Sequence, residues 1–303
     1  MVTPSPLLLR GRIFDGARPA VMAIVNRTRD SFYAGNRHHD DESAHAAVQS
    51  ALSDGADIID VGGVRAGQEG ESVSVEQEIE RVVPFLTEVR RRHPEAILSL
   101  DTWRAPVAAA AAEAGLDLVN DTWAGHDPGL VEVAARIGAG IVCSHSGGLP
   151  PRTDPVDVRY ARDGESEDDA LLADVRRVLT AGAHRALLLG IPRDRILLDP
   201  TLDFGKTTAN SLTLLRHTAD LVDLGFPVLQ AISRKDFIGE SLDLPADERL
   251  EGSLAATAVA AWQGATVFRT HDVRATRRVL DMVATIRGDR PPLRQERGLR
   301  GPR

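Results

Sequence analysis

Apolar residues recur in short runs of three to five, at 21–25, 57–61, 97–100, 116–119, 140–143, 196–198, 228–232 and 266–268. Between them lie longer stretches rich in Ala, Leu, Glu and Arg at helical spacing, at 43–53, 74–92, 105–114, 129–137, 168–189, 210–224, 250–262 and 273–286. Eight alternations of strand and helix, at about 35 residues per unit, predict a single (β/α)8 TIM barrel. A doubly wound open sheet is the competing architecture. It calls for a glycine-rich phosphate turn after the first strand, where this chain has Asn26-Arg27-Thr28-Arg29. A Pro- and Gly-rich stretch at 147–165 reads as a long fifth βα loop, at the face where barrels carry their sites. The expected organisation is an N-terminal extension at 1–17, one barrel domain at 18–286 and a tail at 287–303.

Composition narrows the function classes. With 43% hydrophobic and 26% charged residues, the chain of 303 residues is an ordinary globular one. A lone cysteine, Cys143, excludes an internal disulfide framework and a Cys-rich zinc site, and fits a reducing cytoplasm. No apolar run approaches the ~18–20 residues that span a bilayer. The opening MVTPSPLLLRGRIFDG lacks the basic start of a signal peptide, so no membrane partner is expected. Net charge is −8, but the tail carries six Arg against two acids, leaving the body at −12. An acidic body argues against a nucleic-acid surface, and the tail reads as a disordered basic extension. The basic residues comprise 34 Arg and two Lys, Lys206 and Lys235. In so Arg-rich a chain, a retained lysine marks a place where a compact ammonium is needed and a planar fork will not serve.

Polar residues follow nearly every apolar run: Asn26, Asp101, Asn120-Asp121, Ser144-His145, Asp199, Ser233-Arg234-Lys235, then Arg269 and His271. In a barrel these strand ends converge on one mouth. Asp101, Asn120 and Asp199 suit a planar heterocycle presenting N–H donors, such as a 2-amino-4-oxo ring. Lys235 adds a compact donor. Arg269, His271 and Asn26 suit a phosphate or diphosphate, and the Asn26 carbonyl can hold a hard cation. Cys143 reads as a buried strand residue, and His145 as structural rather than catalytic.

Eight segments carry a family resemblance: NRTRDSF (26–32), GADIIDVGG (55–63), SLDTWR (99–104), VNDTWAG (119–125), DPTLDFGKT (199–207), ISRKDFIG (232–239), EGSLAATA (251–258) and FRTHDV (268–273). Together they resemble dihydropteroate synthase over nearly all of 18–286. The resemblance implies a homodimeric barrel that joins p-aminobenzoate to a dihydropterin pyrophosphate, with Mg²⁺ assisting pyrophosphate release. It assigns Asp101, Asn120, Asp199 and Lys235 to the pterin. Arg269 is assigned to ring stacking and, with Asn26 and His271, to the diphosphate. Asn26 would also hold Mg²⁺, and Arg269, His271 and Lys235 form the expected catalytic set.

The departures fall mostly on the acceptor side. Arg27 and Arg29 stand in a first loop where the family has Asn-x-Thr-Pro, and the second loop reads GGVRAGQEG, with Arg65 in place of a Ser-Thr-Arg-Pro run. Asp203 replaces a glycine. Asp236 replaces a serine whose hydroxyl meets the aminobenzoate carboxylate at a helix N-terminus, although Asp also caps helices. The expectation is therefore a divergent second paralogue that keeps the pterin and diphosphate frame but has weak or absent synthase activity. The alternatives are an active synthase, a pterin transferase using another acceptor, and a non-catalytic pterin-binding regulator. A methyltetrahydrofolate-dependent methyltransferase would not need Arg269 and His271 as a diphosphate clamp, and a metal-dependent hydrolase would want more strand-end histidines.

Overall fold

The computed structural model describes residues 4–28, 41–65, 67, 71–153 and 158–297. Eight parallel strands follow an N-terminal hairpin, β1 (Leu7–Leu9) and β2 (Arg12–Phe14). They are β3 (Ala20–Asn26), β4 (Ile58–Gly62), β5 (Ile97–Asp101), β6 (Leu118–Asn120), β7 (Gly140–Ser144), β8 (Ile196–Asp199), β9 (Leu229–Ala231) and β10 (Val267–Thr270). Neighbours pair in sequence from β3 to β8, while β10 joins β3 to β9. The ring closes through a bridge between Leu198 and Val228 and the bond from Leu198 N–H to the Pro227 carbonyl, 2.9 Å. This is the (β/α)8 TIM barrel that the alternation predicts.

Strand periodicity separates two cores. Side chains facing out, such as Val21, Ile59, Leu98, Val119, Ile141 and Leu198, pack under the helices. Inward residues, at least one from each barrel strand, form a second cluster that includes Met22, Ile58, Ile97, Leu118, Val142, Leu197, Leu229 and Val267. Two residues further along each strand, the inward positions become mostly polar: Asp60, Ser99, Asn120, Ser144, Asp199 and Arg269. An apolar floor thus lies directly beneath a polar layer at the C-terminal mouth.

The hairpin completes the floor. Leu7, Leu9 and Phe14 are buried in the same cluster as the inward strand residues, so most of the stretch read as an extension is part of the barrel's core. Asp57 fixes it from below, accepting from Arg12 (2.6 Å), Arg18 (2.9 Å) and Arg277 (3.2 Å).

The helices begin and end largely where their signals lie. In α2 (Val75–Arg92), Ser74 and Gln77 form a reciprocal capping box, while α4 (Gly129–Ile137) stops at left-handed Gly138. The helix predicted at 210–224 divides into α6 (Thr208–Arg216) and α7 (Thr218–Val222), where the Thr218 hydroxyl takes the Leu215 carbonyl. The remaining helices are α1 (Asp41–Ser53), α3 (Ala105–Ala110), α5 (Glu167–Leu188), α8 (Asp236–Leu242), α9 (Leu250–Trp262) and α10 (Val273–Arg287). Beyond α10, Arg290 pairs back to Asp281 of the helix at 2.8 Å, while 291–297 are exposed. No described helix is long and apolar enough to cross a membrane.

Candidate active site at the barrel mouth

The centre of the polar layer is Asp60, a residue within a strand rather than at its end, and fully buried. Its Oδ1 accepts from Ser99 Oγ (2.6 Å), and its Oδ2 accepts from Asn120 Nδ2 (3.1 Å) and Arg269 Nε (2.7 Å). Arg269 also donates from Nη2 to Asp101 Oδ2 at 2.7 Å. Two carboxylates therefore share one guanidinium. Burial pushes the Asp101 carboxyl up to about 7; Arg269 draws it down and the neighbouring Asp60 adds to the rise. The strand-end reading overlooked Asp60. Its signal was an acid amid the apolar run IIDVG, at the inward register.

Across the mouth, Asp199 is buried and its Oδ1 accepts the Thr201 N–H at 2.7 Å. Burial raises its pKa, countered by the charge of Lys235. Lys235 donates to the Leu202 carbonyl and lies over the Phe204 ring at 4.6 Å. Lys206 has a different task. It is buried, and its Nζ donates to the carbonyls of His145 (2.7 Å), Thr201 (3.0 Å) and Phe204 (2.6 Å). Those three acceptors use all three ammonium protons and bind the β7 and β8 loops together. Gly205, at φ 61, permits the contact, since a Cβ there would meet the Ser146 carbonyl at 2.3 Å.

At the outer rim, His271 lies beside Ser233, with Nδ1 and Oγ 3.1 Å apart. Burial first, and then the charge of Arg269, push its pKa down to about 4. The imidazole is thereby held neutral at pH 7 and has a hydrogen bond rather than a positive charge to offer an anion. Arg234 is held away from the mouth by paired contacts to Asp272, both 2.9 Å. Asn26 ends β3 beside Gly62. A Cβ at Gly62 would lie 3.6 Å from Asn26 Oδ1 and 3.7 Å from Asp101 Oδ2, so both oxygens border the same small space. His145 turns away from the strand-end acids to Asp174 of α5, at 3.0 Å. Burial pushes the Cys143 thiol up to about 12, which suits an inert strand residue.

The divergent positions behave unequally. Arg27 packs over the Phe85 ring of α2 at 4.8 Å, and Arg65 is half-buried in the β4–α2 loop. Arg29 lies outside the described residues. Asp236 turns outward, 68% exposed, and pairs with Arg249 at 2.7 Å. Its side chain neither caps α8 nor enters the mouth. The cap is Asp203, whose Oδ2 accepts the Asp236 N–H at 2.8 Å while Ser211 steadies Oδ1 at 3.2 Å. Asp203 has φ 72, a left-handed conformation that glycine adopts without strain and Asp tolerates. Its carboxylate thus reaches α8 across the β8 loop, which the spacing of the two residues did not reveal.

The class of protein is set by a closed parallel barrel that carries an array of acids, an amide and bases at the C-terminal ends of its strands. The comparisons agree with this description. Residues 22–271 match the family of pterin binding enzymes, and the chain belongs to that family. It is 54% identical over 291 residues to the inactive dihydropteroate synthase 2 of Mycobacterium tuberculosis, covering 96% of this chain and 90% of that protein. To the inactive dihydropteroate synthase 2 of Mycobacterium leprae it is 53% identical over 292 residues, covering 96% and 99%. The structure of Yersinia pestis dihydropteroate synthase with a sulfonamide superposes with a TM-score of 0.84 at 34% identity, covering 94% of this chain and all of that one.

Proposed function

We propose that the barrel mouth binds the 2-amino-4-oxo ring of a reduced pterin, and that dihydropteroate synthase turnover is weak or absent. Asp101, Asn120, Asp199 and Lys235 hold the ring. Arg269, His271 and Asn26 attend a diphosphate. Mg²⁺ keeps several waters and needs few protein ligands beyond phosphate oxygens, so the Asn26 amide oxygen fits it. Bound there, Mg²⁺ would neutralise leaving-group charge. The domain is the barrel of 18–286, floored by the hairpin, in a cytoplasmic protein.

The contact of Asp203 with Asp236 carries the loss of activity. The family reading places the acceptor carboxylate at the N-terminus of α8, and a carboxylate of the chain itself already takes an N–H there. Repulsion between two carboxylates at 4 Å costs about 1–4 kcal/mol, depending on screening. With a lost charged hydrogen bond of ~1.5–3 kcal/mol, the expected loss for p-aminobenzoate is about a thousandfold. The same contact favours a second reading, transfer to an amine lacking a carboxylate.

A steady-state assay with 6-hydroxymethyl-dihydropterin pyrophosphate and p-aminobenzoate, beside calorimetry with the pterin alone, tests both halves. Pterin binding with turnover about a thousandfold below an active synthase is expected. Complementation of a synthase-null strain by this gene alone would refute the proposal. Screening other amines as acceptors separates a transferase from a non-catalytic regulator.

The exposed face of α9 and α10 supports a homodimer. Val259 and Trp262 on the first, with Met282 and Ile286 on the second, are each about half exposed. These two helices pack together, so the four exposed apolar side chains lie on neighbouring helices.

A further inference from the structure

A second cavity, of about 1000 Å³, lies on the flank of the barrel between α5 and the loops that follow β6 and β7. None of Asp60, Asp101, Asn120, Asp199, Lys235 and Arg269 lines it, so it is separate from the mouth. Its walls are fixed by the chain's own contacts. The Tyr160 hydroxyl donates to the Gly205 carbonyl, which ties the β7 loop to the β8 loop. Glu167, in the first turn of α5, accepts the backbone N–H groups of Tyr160 at 3.1 Å and Ala161 at 3.0 Å, one on each oxygen. Trp123 is steadied by an edge contact with Phe204, 5.1 Å between ring centroids. We infer that this cavity is a second binding site, and that it takes an uncharged aromatic ring carrying both a hydrogen-bond donor and an acceptor, as an aromatic carboxamide does.

Three observations select that chemistry. Trp123 and Tyr160 give the cavity aromatic walls, which suit a planar ring. The charged side chains around it cancel, with Arg159, Arg162 and Arg177 against Glu165, Asp169 and Asp174. A charged ligand would find no unbalanced partner there and would still lose its hydration. Two lining residues also hold polar atoms that are buried without a partner among the described residues, Trp123 Nε1 and His145 Nδ1. The indole N–H can only donate. His145 turns Nε2 to the Asp174 carboxylate at 3.0 Å, which keeps the ring proton there and leaves Nδ1 an acceptor. Burial and the charge of Lys206 push this imidazole down to about 4, so Nδ1 stays bare at pH 7. One buried donor and one buried acceptor match the carbonyl and amino groups of a carboxamide.

The site does not depend on a pterin at the mouth, and no pterin enters its test. Benzamide is the probe, with benzoate and benzylammonium as its charged counterparts, each titrated into the ¹⁵N-labelled full chain. The indole N–H signal of Trp123 is assigned with Trp123→Phe or, should that variant not fold, by elimination with Trp103→Phe and Trp262→Phe. Benzamide should move it saturably, with a dissociation constant of about 1 mM. The charged probes should bind about tenfold more weakly or worse. Ala173→Phe fills the cavity from an exposed position on α5, where a substitution leaves the fold intact, and should abolish the response. The absence of a saturable Trp123 response, an equal response in Ala173→Phe, or charged probes that bind as tightly as benzamide each overturns the proposal.

Discussion

At the scale of the residue, the mouth is governed by how many charges are shared between how few partners. Asp101 ionises near 3.8 when unfolded and near 7 in place. Between about pH 4 and 7 the folded chain keeps a proton that the unfolded chain has lost, so this group's contribution falls as pH rises through that window. His271 and His145 act in the opposite sense. Their pKa values drop from 6.5 to about 4, and their contributions grow as pH rises between those values. The whole-protein curve mixes both, and the difference from Asp101→Asn isolates one. Urea unfolding at about pH 4.5 and about pH 7.5 should show the wild type losing on the order of 3 kcal/mol relative to the variant. A second expectation concerns the acceptor side. Asp203→Gly combined with Asp236→Ser should restore part of p-aminobenzoate use, and Asp236→Ser alone should restore little, because Asp236 already points to Arg249. Single-turnover assays of the two variants beside the wild type check this. The strand-end residues were legible because a barrel gathers them at one face. Asp60 and the Asp203 cap were not. One was masked by the apolar run around it, and the other depends on a contact between residues 33 positions apart.

At the scale of the element, the apolar periodicity located all eight barrel strands within a few residues, because buried parallel strands require continuous hydrophobic runs. It missed α8, a seven-residue helix too short to show a period, whose start is set by the Asp203 contact. It also missed the hairpin β1–β2, whose three-residue strands read as an extension. Yet the hairpin carries Phe14, which is 1% exposed and packed against the inward residues of the barrel. Phe14→Ala should cost about 3–5 kcal/mol by chemical denaturation while leaving the mouth intact. A cost below 1 kcal/mol would mean that the hairpin does not seal the floor.

At the scale of the whole molecule, the barrel presents two surfaces of opposite character: a polar mouth and exposed apolar side chains on α9 and α10. Trp262→Glu should convert a dimer to a monomer by light scattering without altering pterin binding, since Trp262 lies on the outer face of α9, away from the strand ends. A wild type that is monomeric at micromolar concentration would remove these side chains from this role. The hairpin also bears on how the chain assembles as it is made. Leu7, Leu9 and Phe14 emerge before any barrel strand, but part of their packing surface is Leu229 on β9 and Val267 on β10. The hairpin thus has no complete seat until the last barrel strand has appeared. Sealing the floor is therefore a late, long-range step, of the kind that slows folding and leaves apolar side chains exposed while synthesis continues.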